Sequence, residues 1–394
     1  MSAYRILYHH RIRANDGQAV HVRELIAAVR RRGHEVLECA LVPKATPVLS
    51  GRSAARPSFW QRLSLPRTAV EVLEVLYNRK GRAMLRRAAA SFRPDFIYER
   101  HALHCRAGLD VACEIGVPLL LEVNSPMVTE MQELRLLRLP WLARRCERAV
   151  LSGADRVLAV TSVLAAMLIE RGAKSENVRV VPNGAQPERY GSEVQHAAAA
   201  VRARLKLAAD AFVLGFVGYM RPWHRLDLVL EAMLLPGLSP LHLLLVGSGP
   251  ALPMLLARAQ QLGLAERVHS VGEVPSDLLP PHVAAFDAAL VPAINPYASP
   301  LKLFDSLAAS VPSLVPDQPN LREIISDGQN GLLFKPGVAS SLAQSLRPLV
   351  ADRALARKIG AQGRQSLLEH RFTWDGNAER VIAMVEDLLQ KGAS

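Results

Sequence analysis

Cysteine is scarce in this chain. Cys39, Cys105, Cys113 and Cys146 are the four present, and no two stand at a Cys-x-x-Cys spacing. The spacing excludes a zinc knuckle or a dithiol redox pair written into the sequence and leaves buried free thiols as the expectation. Aromatic residues make up only 5%. With no DNA- or RNA-binding motif beside them, nucleic acid is a weak candidate for a partner. No apolar run approaches the ~18 residues that cross a bilayer. The opening MSAYRILYHHRIR leads straight into a strand-like pattern, without a charged-then-apolar leader, so a cytosolic protein is expected. An Asp-x-Asp pair after a candidate strand is also missing, so neither a metal nor a cofactor is expected.

What is present describes a folded protein. Of 394 residues, 50% are hydrophobic and 21% charged, which excludes general disorder and suits two domains of roughly 150–200 residues each. The net charge of +12 is unevenly placed: residues 1–190 carry 30 Lys/Arg against 18 Asp/Glu, and the remainder balances. Either solubility or an anionic partner, such as membrane lipid or a lipid pyrophosphate, accounts for this excess. The basic segment 51–93 includes Arg82, Arg86 and Arg87 together with Phe59 and Trp60. It fits an interfacial helix pair on an anionic membrane surface and, equally, a solvated helical insert.

Short apolar runs alternate with helical patterns along the whole chain. Tyr4–Tyr8 suits a buried strand, Gln18–Arg32 a helix with Val22, Leu25, Ile26 and Val29 as its stripe, and Glu35–Ala40 the next strand. Further strands are expected at 96–98, 118–123, 156–160 and 178–181. The pattern restarts at 213–217 and continues at 241–246, 268–271, 288–291 and 312–315. Alternation of this kind predicts parallel sheets covered on both faces, hence an α/β protein of two Rossmann-like domains. The Pro-, Gly- and Ala-rich stretch 182–200 suits a linker. The domains are set at 1–190 and 191–373, with 374–394 as a helix returning to the first.

In doubly wound sheets, ligands bind beyond the carboxyl ends of the strands. After Val246 comes Gly247-Ser248-Gly249-Pro250, a turn that allows close backbone approach to a phosphate or equally serves a tight bend. After Val217 comes Gly218-Tyr219-Met220-Arg221-Pro222-Trp223-His224-Arg225, where a glycine and three basic side chains suit a diphosphate. The segment NPYASPLKLFDSLAASVP at 295–312 is the most informative. Ser299 fits an N-cap and Pro300 a first helical position, so the helix end and the full charge of Lys302 form a phosphate site. Asp305, one turn on, suits ribose hydroxyls, or else pairs with Lys302 on the surface.

The ordered set of LLLVGSGP, RVHSVGEVP, SPLKLFDSLAASVPSLVPD, LREIISDGQNGLLFKPG and RFTW resembles the retaining glycosyltransferases of family 4. The N-terminal half is similar through DGQAVHVRELIAAVRRRGHEV, PLLLEVNSP, ADRVLAVT and VRVVPNGAQPERY. The resemblance implies a GT-B fold, with two Rossmann-like domains facing each other across a cleft. It implies transfer of a sugar from a nucleoside-diphosphate sugar to an acceptor hydroxyl, on a glycan or a lipid-linked sugar, with retention.

By position, the resemblance sets Gly17 against the donor phosphates and Arg221 and His224 against the diphosphate as cations. It sets Gly272, Glu273 and Val274 at the nucleobase, and Ser299, Pro300, Leu301 and Lys302 around the phosphates. Gly218, Gly247 and Gly249 belong to the same donor site, and Asp305 falls where the family has a ribose-binding glutamate. An acceptor is expected near Gln18, His21, Arg100, Glu122 and Asn124. Departures are visible as well. The first family glutamate falls on Tyr297, the diphosphate lysine on His224, and the histidine near the reacting sugar on Asn124. A catalytically silent nucleotide-binding subunit and a sugar-nucleotide epimerase are the alternatives these departures leave.

Overall fold

The computed structural model describes residues 3–12, 17–40 and 66–393. The chain forms two compact units, one of Met1–Val181 with Ala378–Ser394, the other of Pro182–Asn377. Residues 51–65 of the basic segment, with Phe59 and Trp60, lie outside the described residues.

The first unit holds β1 (Arg5–His10), β2 (Glu35–Ala40), β3 (Phe96–Arg100), β4 (Leu119–Val123), β5 (Arg156–Ala159) and β6 (Val178–Val180). They form one sheet in the order β2-β1-β3-β4-β5-β6, every pair parallel. Ile6, Leu7, Tyr8, Phe96, Ile97 and Leu119–Leu121 are all buried, as strands covered on both faces require. Helix Gly17–Arg31 buries the stripe Val22, Leu25, Ile26 and Val29. It stops where Gly33 takes a φ of +85°, the left-handed backbone that glycine adopts without a Cβ clash. The basic stretch from Arg67 is a 26-residue helix, Arg67–Phe92. Helix Trp374–Ala393 enters this unit at Ala378. There Glu379 pairs with Arg32 at 2.6 Å and Asp387 with Arg156 at 2.5 Å.

The second unit holds β7 (Phe212–Val217), β8 (Leu241–Val246), β9 (Val268–Gly272), β10 (Ala288–Leu290), β11 (Ser313–Pro316) and β12 (Leu332–Phe334), in the order β12-β11-β10-β7-β8-β9. All pairs are again parallel. The pleat sends Phe212, Leu214 and Phe216 into one core and Val213 into the other, as alternation along a strand demands. Gly215 has no room for a side chain, since a Cβ there would lie 2.1 Å from the Phe286 ring. β12, a three-residue strand, was not anticipated.

Two sequence expectations are corrected. The stretch 182–200 is not an open linker: Pro187–Tyr190 is a 3₁₀ turn and Ser192–Arg204 a helix. The division accordingly falls at Val181–Pro182 and not after Tyr190. Ala185 pairs with Thr373, and Tyr190 is buried in the second unit's core. Of the cysteines, Cys39, Cys105 and Cys146 are buried thiols, but Cys113 is exposed.

Candidate functional site

The second unit's strand order reverses at β7, which lies between β10 and β8. Ligands of doubly wound sheets bind at the carboxyl ends of such a pair. The chain leaving β7 begins at Gly218, and the chain leaving β10 runs to the helix Leu301–Ala308. The two segments meet. A Cβ on Gly218, whose φ is +138°, would lie 3.2 Å from the Lys302 ammonium nitrogen. Lys302 Nζ stands 3.9 Å from the centre of the Phe216 ring. Burial pushes the Lys302 ammonium down to about 7. It is a group poised between charged and neutral and not the fixed charge expected from sequence.

The helix cap also differs from expectation. Pro300 is the N-cap and makes no side-chain cap bond, so the N–H groups of Leu301 and Lys302 head the helix without intrahelical acceptors. Ser299 lies one residue earlier. Its Oγ accepts from the backbone N–H of Asn183 at 3.2 Å, and its carbonyl accepts from Asn183 Nδ2 at 2.5 Å. From the other side, Asn320 Nδ2 donates to the Ala298 carbonyl at 2.7 Å. Two carboxamides therefore bracket the turn before the helix. Asp305 accepts from the Tyr190 hydroxyl at 3.1 Å.

His224 departs further from the cation proposed for it. Burial, then the charges of Lys302 and Arg221, lower it to about 4. Its Nδ1 accepts the Arg221 backbone N–H at 3.1 Å, which leaves the proton on Nε2. At neutral pH this residue is a neutral hydrogen-bond donor. Arg221 of the same loop is exposed, with its guanidinium 5.0 Å from the Tyr219 ring centre and 4.8 Å from that of Trp223.

The glycines of the 247–250 turn serve the loop as well. A Cβ on Gly247, at φ +128°, would lie 2.2 Å from the Gly218 carbonyl. One on Gly249, at φ +145°, would lie 2.3 Å from the Met220 carbonyl. Backbone meets backbone there, and the two turns fix each other. Gly272 ends β9 and accepts the Gly247 N–H at 2.7 Å. Glu273 follows it, with its carboxylate accepting from the Ser248 hydroxyl, and Val274 packs against the core. The predicted donor residues from Gly218 to Asp305 thus fall at the carboxyl ends of this one sheet's strands, on the loops that leave them and on the helix that one such loop leads into.

In the first unit, His21, Arg100, Glu122 and Asn124 do come together, with Glu122 as their centre. Its Oε2 accepts from His21 Nε2 at 2.9 Å, Tyr98 at 2.8 Å and Tyr8 at 3.4 Å. Its Oε1 accepts from Asn124 at 2.5 Å and from Arg100. Burial pushes the Glu122 carboxyl up, but the His21 and Arg100 charges and the hydrogen bonds outweigh it. They hold the acid well below the usual carboxylate range. Such a saturated anion orients its neighbours and is not free to accept a substrate proton. Gln18, exposed, lies one turn before His21, and Gly17 opens the same helix. A second buried group joins His9, Glu99 and Cys105, with His9 Nδ1 2.8 Å from Glu99. Tyr8, Tyr98, Asn183, Tyr190 and Asn320 carry the geometry of both regions and were not anticipated. Only their placement beside strand ends could have signalled them.

Comparison with known proteins adds the family. The model described as Glycosyl transferases group 1 matches residues 199–366, and that of Glycosyltransferase Family 4 matches 15–189. D-inositol 3-phosphate glycosyltransferase of Nocardia farcinica is 32% identical over 251 residues, 60% of this chain and 53% of that protein. The chain thus spans about half the length of this relative. Among solved structures, sucrose-phosphate synthase from Thermosynechococcus elongatus superposes with a TM-score of 0.75 at 22% identity, over 99% of this chain and 100% of that one. Anabaena HepE in complex with UDP-glucose gives 0.70 at 18%, over 98% and 100%. At these identities the structures speak for the fold alone, an α/β GT-B architecture of two Rossmann-like domains. The two family models between them take in most of both units, and the chain belongs to the group 1 glycosyltransferases.

Proposed function

We propose that this protein transfers a sugar from a nucleoside-diphosphate sugar to an acceptor hydroxyl, with retention of configuration. One observation carries the reading: the Lys302 ammonium, carried on the first turn of a helix, reaches Gly218 at the strand-order reversal of the second unit. A leaving diphosphate needs its charge met by groups already in place. Lys302, Arg221, the helix N–H groups and the His224 Nε2 proton supply them. Asp305 would hold ribose hydroxyls, and the segment from Gly272 to Val274 would border the nucleobase. Retention needs no covalent protein intermediate here, since the departing diphosphate can itself take the acceptor's proton. An acceptor, on a glycan or a lipid-linked sugar, would meet His21, Arg100 and Asn124, held in place by Glu122.

UDP is the first nucleotide to try, since HepE was crystallised with UDP-glucose. Calorimetry with UDP, ADP, GDP and the matching nucleosides tests the donor site. A diphosphate that binds at least about tenfold more tightly than its nucleoside is expected. Equal affinity for the two would sink the reading. Turnover of the preferred sugar nucleotide, with the anomeric product followed by NMR, tests transfer and retention.

A further inference from the structure

We infer that one face of the first unit docks on an anionic lipid bilayer, through the start of helix Arg67–Phe92 and the start of helix Pro140–Gly153. Val72, Leu73 and Leu76 are 45%, 53% and 51% exposed, and Trp141 is 65% exposed. A soluble surface scatters its exposed apolar residues singly, whereas these are grouped. Val72, Leu73 and Leu76 share one face of the first helix, which continues as Arg79 and Lys80, while Glu71, Asn78 and Leu85 turn inward. On the second helix Trp141, Arg144, Arg145 and Arg148 recur at helical spacing, all exposed, above buried Ala143, Cys146 and Val150. Each helix thus presents apolar side chains ahead of a row of cations, the pattern of an interfacial helix.

The starts of the two helices are joined. The buried Glu71 carboxylate accepts the backbone N–H groups of Arg138 at 2.6 Å and Leu139 at 2.7 Å. It pins the first turn of one helix to the residues that begin the other, and Val72 and Trp141 flank that pin. Among the described residues, Arg79, Lys80, Arg145 and Arg148 make no ion pair within 4 Å, and Arg144 interacts with the buried Glu147 carboxyl only through its charge. Further along the first helix the cations are committed: Arg82 pairs with Asp110 at 3.2 Å and Arg86 with Glu114 at 2.7 Å. The docking charge therefore lies at the apolar end and not at Arg82 and Arg86.

Charge complementarity alone would also admit nucleic acid. Exposed Val72, Leu73 and Leu76 decide against it, because phosphate backbones offer such side chains nothing, whereas a bilayer interface takes aliphatic residues and tryptophan. The inference does not rest on the transferase reading, and its test has no enzymatic readout.

The test is flotation of the full chain with vesicles of phosphatidylcholine, alone or mixed with phosphatidylglycerol. Binding to the mixed vesicles alone, weakening as salt rises, is expected. Arg144→Glu with Arg145→Glu should weaken partitioning by about tenfold or more. Leu73→Ser with Leu76→Ser should also weaken it, without altering the salt dependence. Arg357→Glu with Lys358→Glu makes the same charge change on exposed residues of the second unit and should leave binding unchanged. Thermal unfolding checks that each variant is folded. The inference fails if mixed vesicles do not bind, or if the control pair loses as much binding as the docking pair. It also fails if the chain retains single-stranded RNA while ignoring vesicles.

Discussion

The Lys302 ammonium lies 3.9 Å from the centre of the Phe216 ring and next to Gly218. Burial brings its pKa to about 7. A bound diphosphate favours the charged form, so binding draws in a proton, and diphosphate affinity should fall as pH rises above about 7. Lys302→Met should abolish that dependence. Lys302→Ala should weaken a nucleoside diphosphate ~10–100-fold while leaving the nucleoside nearly unaffected. Calorimetry across pH reads both. Equal losses for the two ligands would remove Lys302 from the phosphate site.

The same lysine predicts a change in stability. Its ordinary value of 10.5 belongs to the unfolded chain, and about 7 to the folded one. Between these values the unfolded state binds more protons, so stability rises with pH there. Below about 7 the buried charge costs stability in full. Lys302→Met should stabilise the protein by on the order of 1–3 kcal/mol near pH 6 and by much less near pH 10. Urea unfolding at the two pH values measures the difference.

His224 is lowered to about 4 by burial and by the charges of Lys302 and Arg221, so it is neutral near pH 7. His224→Gln, which keeps an N–H donor at the far end of the side chain, should retain diphosphate binding within about tenfold and keep the wild-type pH profile. A pH profile that flattens in His224→Gln would assign the titration to the histidine.

Glu122 is predicted to hold the first unit's polar cluster together. Removing it leaves Arg100 buried without its carboxylate, so Glu122→Ala should cost about 3–5 kcal/mol. Its carboxyl is held below the ordinary range. It therefore contributes stability above the usual carboxylate pKa, and that contribution fades as pH falls below it. Denaturation near pH 7 and near pH 3 should show the Glu122→Ala penalty shrinking in acid.

If Lys302, Arg221 and a helix terminus meet the diphosphate's charge as proposed, transfer should continue in EDTA. Activity that vanishes on chelation and returns with magnesium or manganese would overturn that assignment.

Much of the architecture was legible because parallel strands covered on both faces read as unbroken apolar runs, Leu241–Val246 being the clearest. β12 escaped notice because three residues within Gly331-Leu332-Leu333-Phe334 carry no period. The loops of the donor site were legible through their glycines and their Ser-Pro-Leu-Lys turn. Their inner workings were not. Asn183 and Ser299 are 116 positions apart, and no local pattern announces that a carboxamide will bracket a distant turn. Nor does sequence carry desolvation. His224 and Lys302 look like two cations from sequence, and burial lowers the pKa of both.

The first unit is assembled from two segments that flank the second, and the second is one uninterrupted stretch. During synthesis the second unit can therefore close on itself as soon as it has emerged, since domains fold as units behind the ribosome. The first must wait, because Arg32 and Arg156 find Glu379 and Asp387 only after the second unit has been made. Its apolar strands appear before the second unit and are completed only after it, so they stay exposed to aggregation while the second unit is being made.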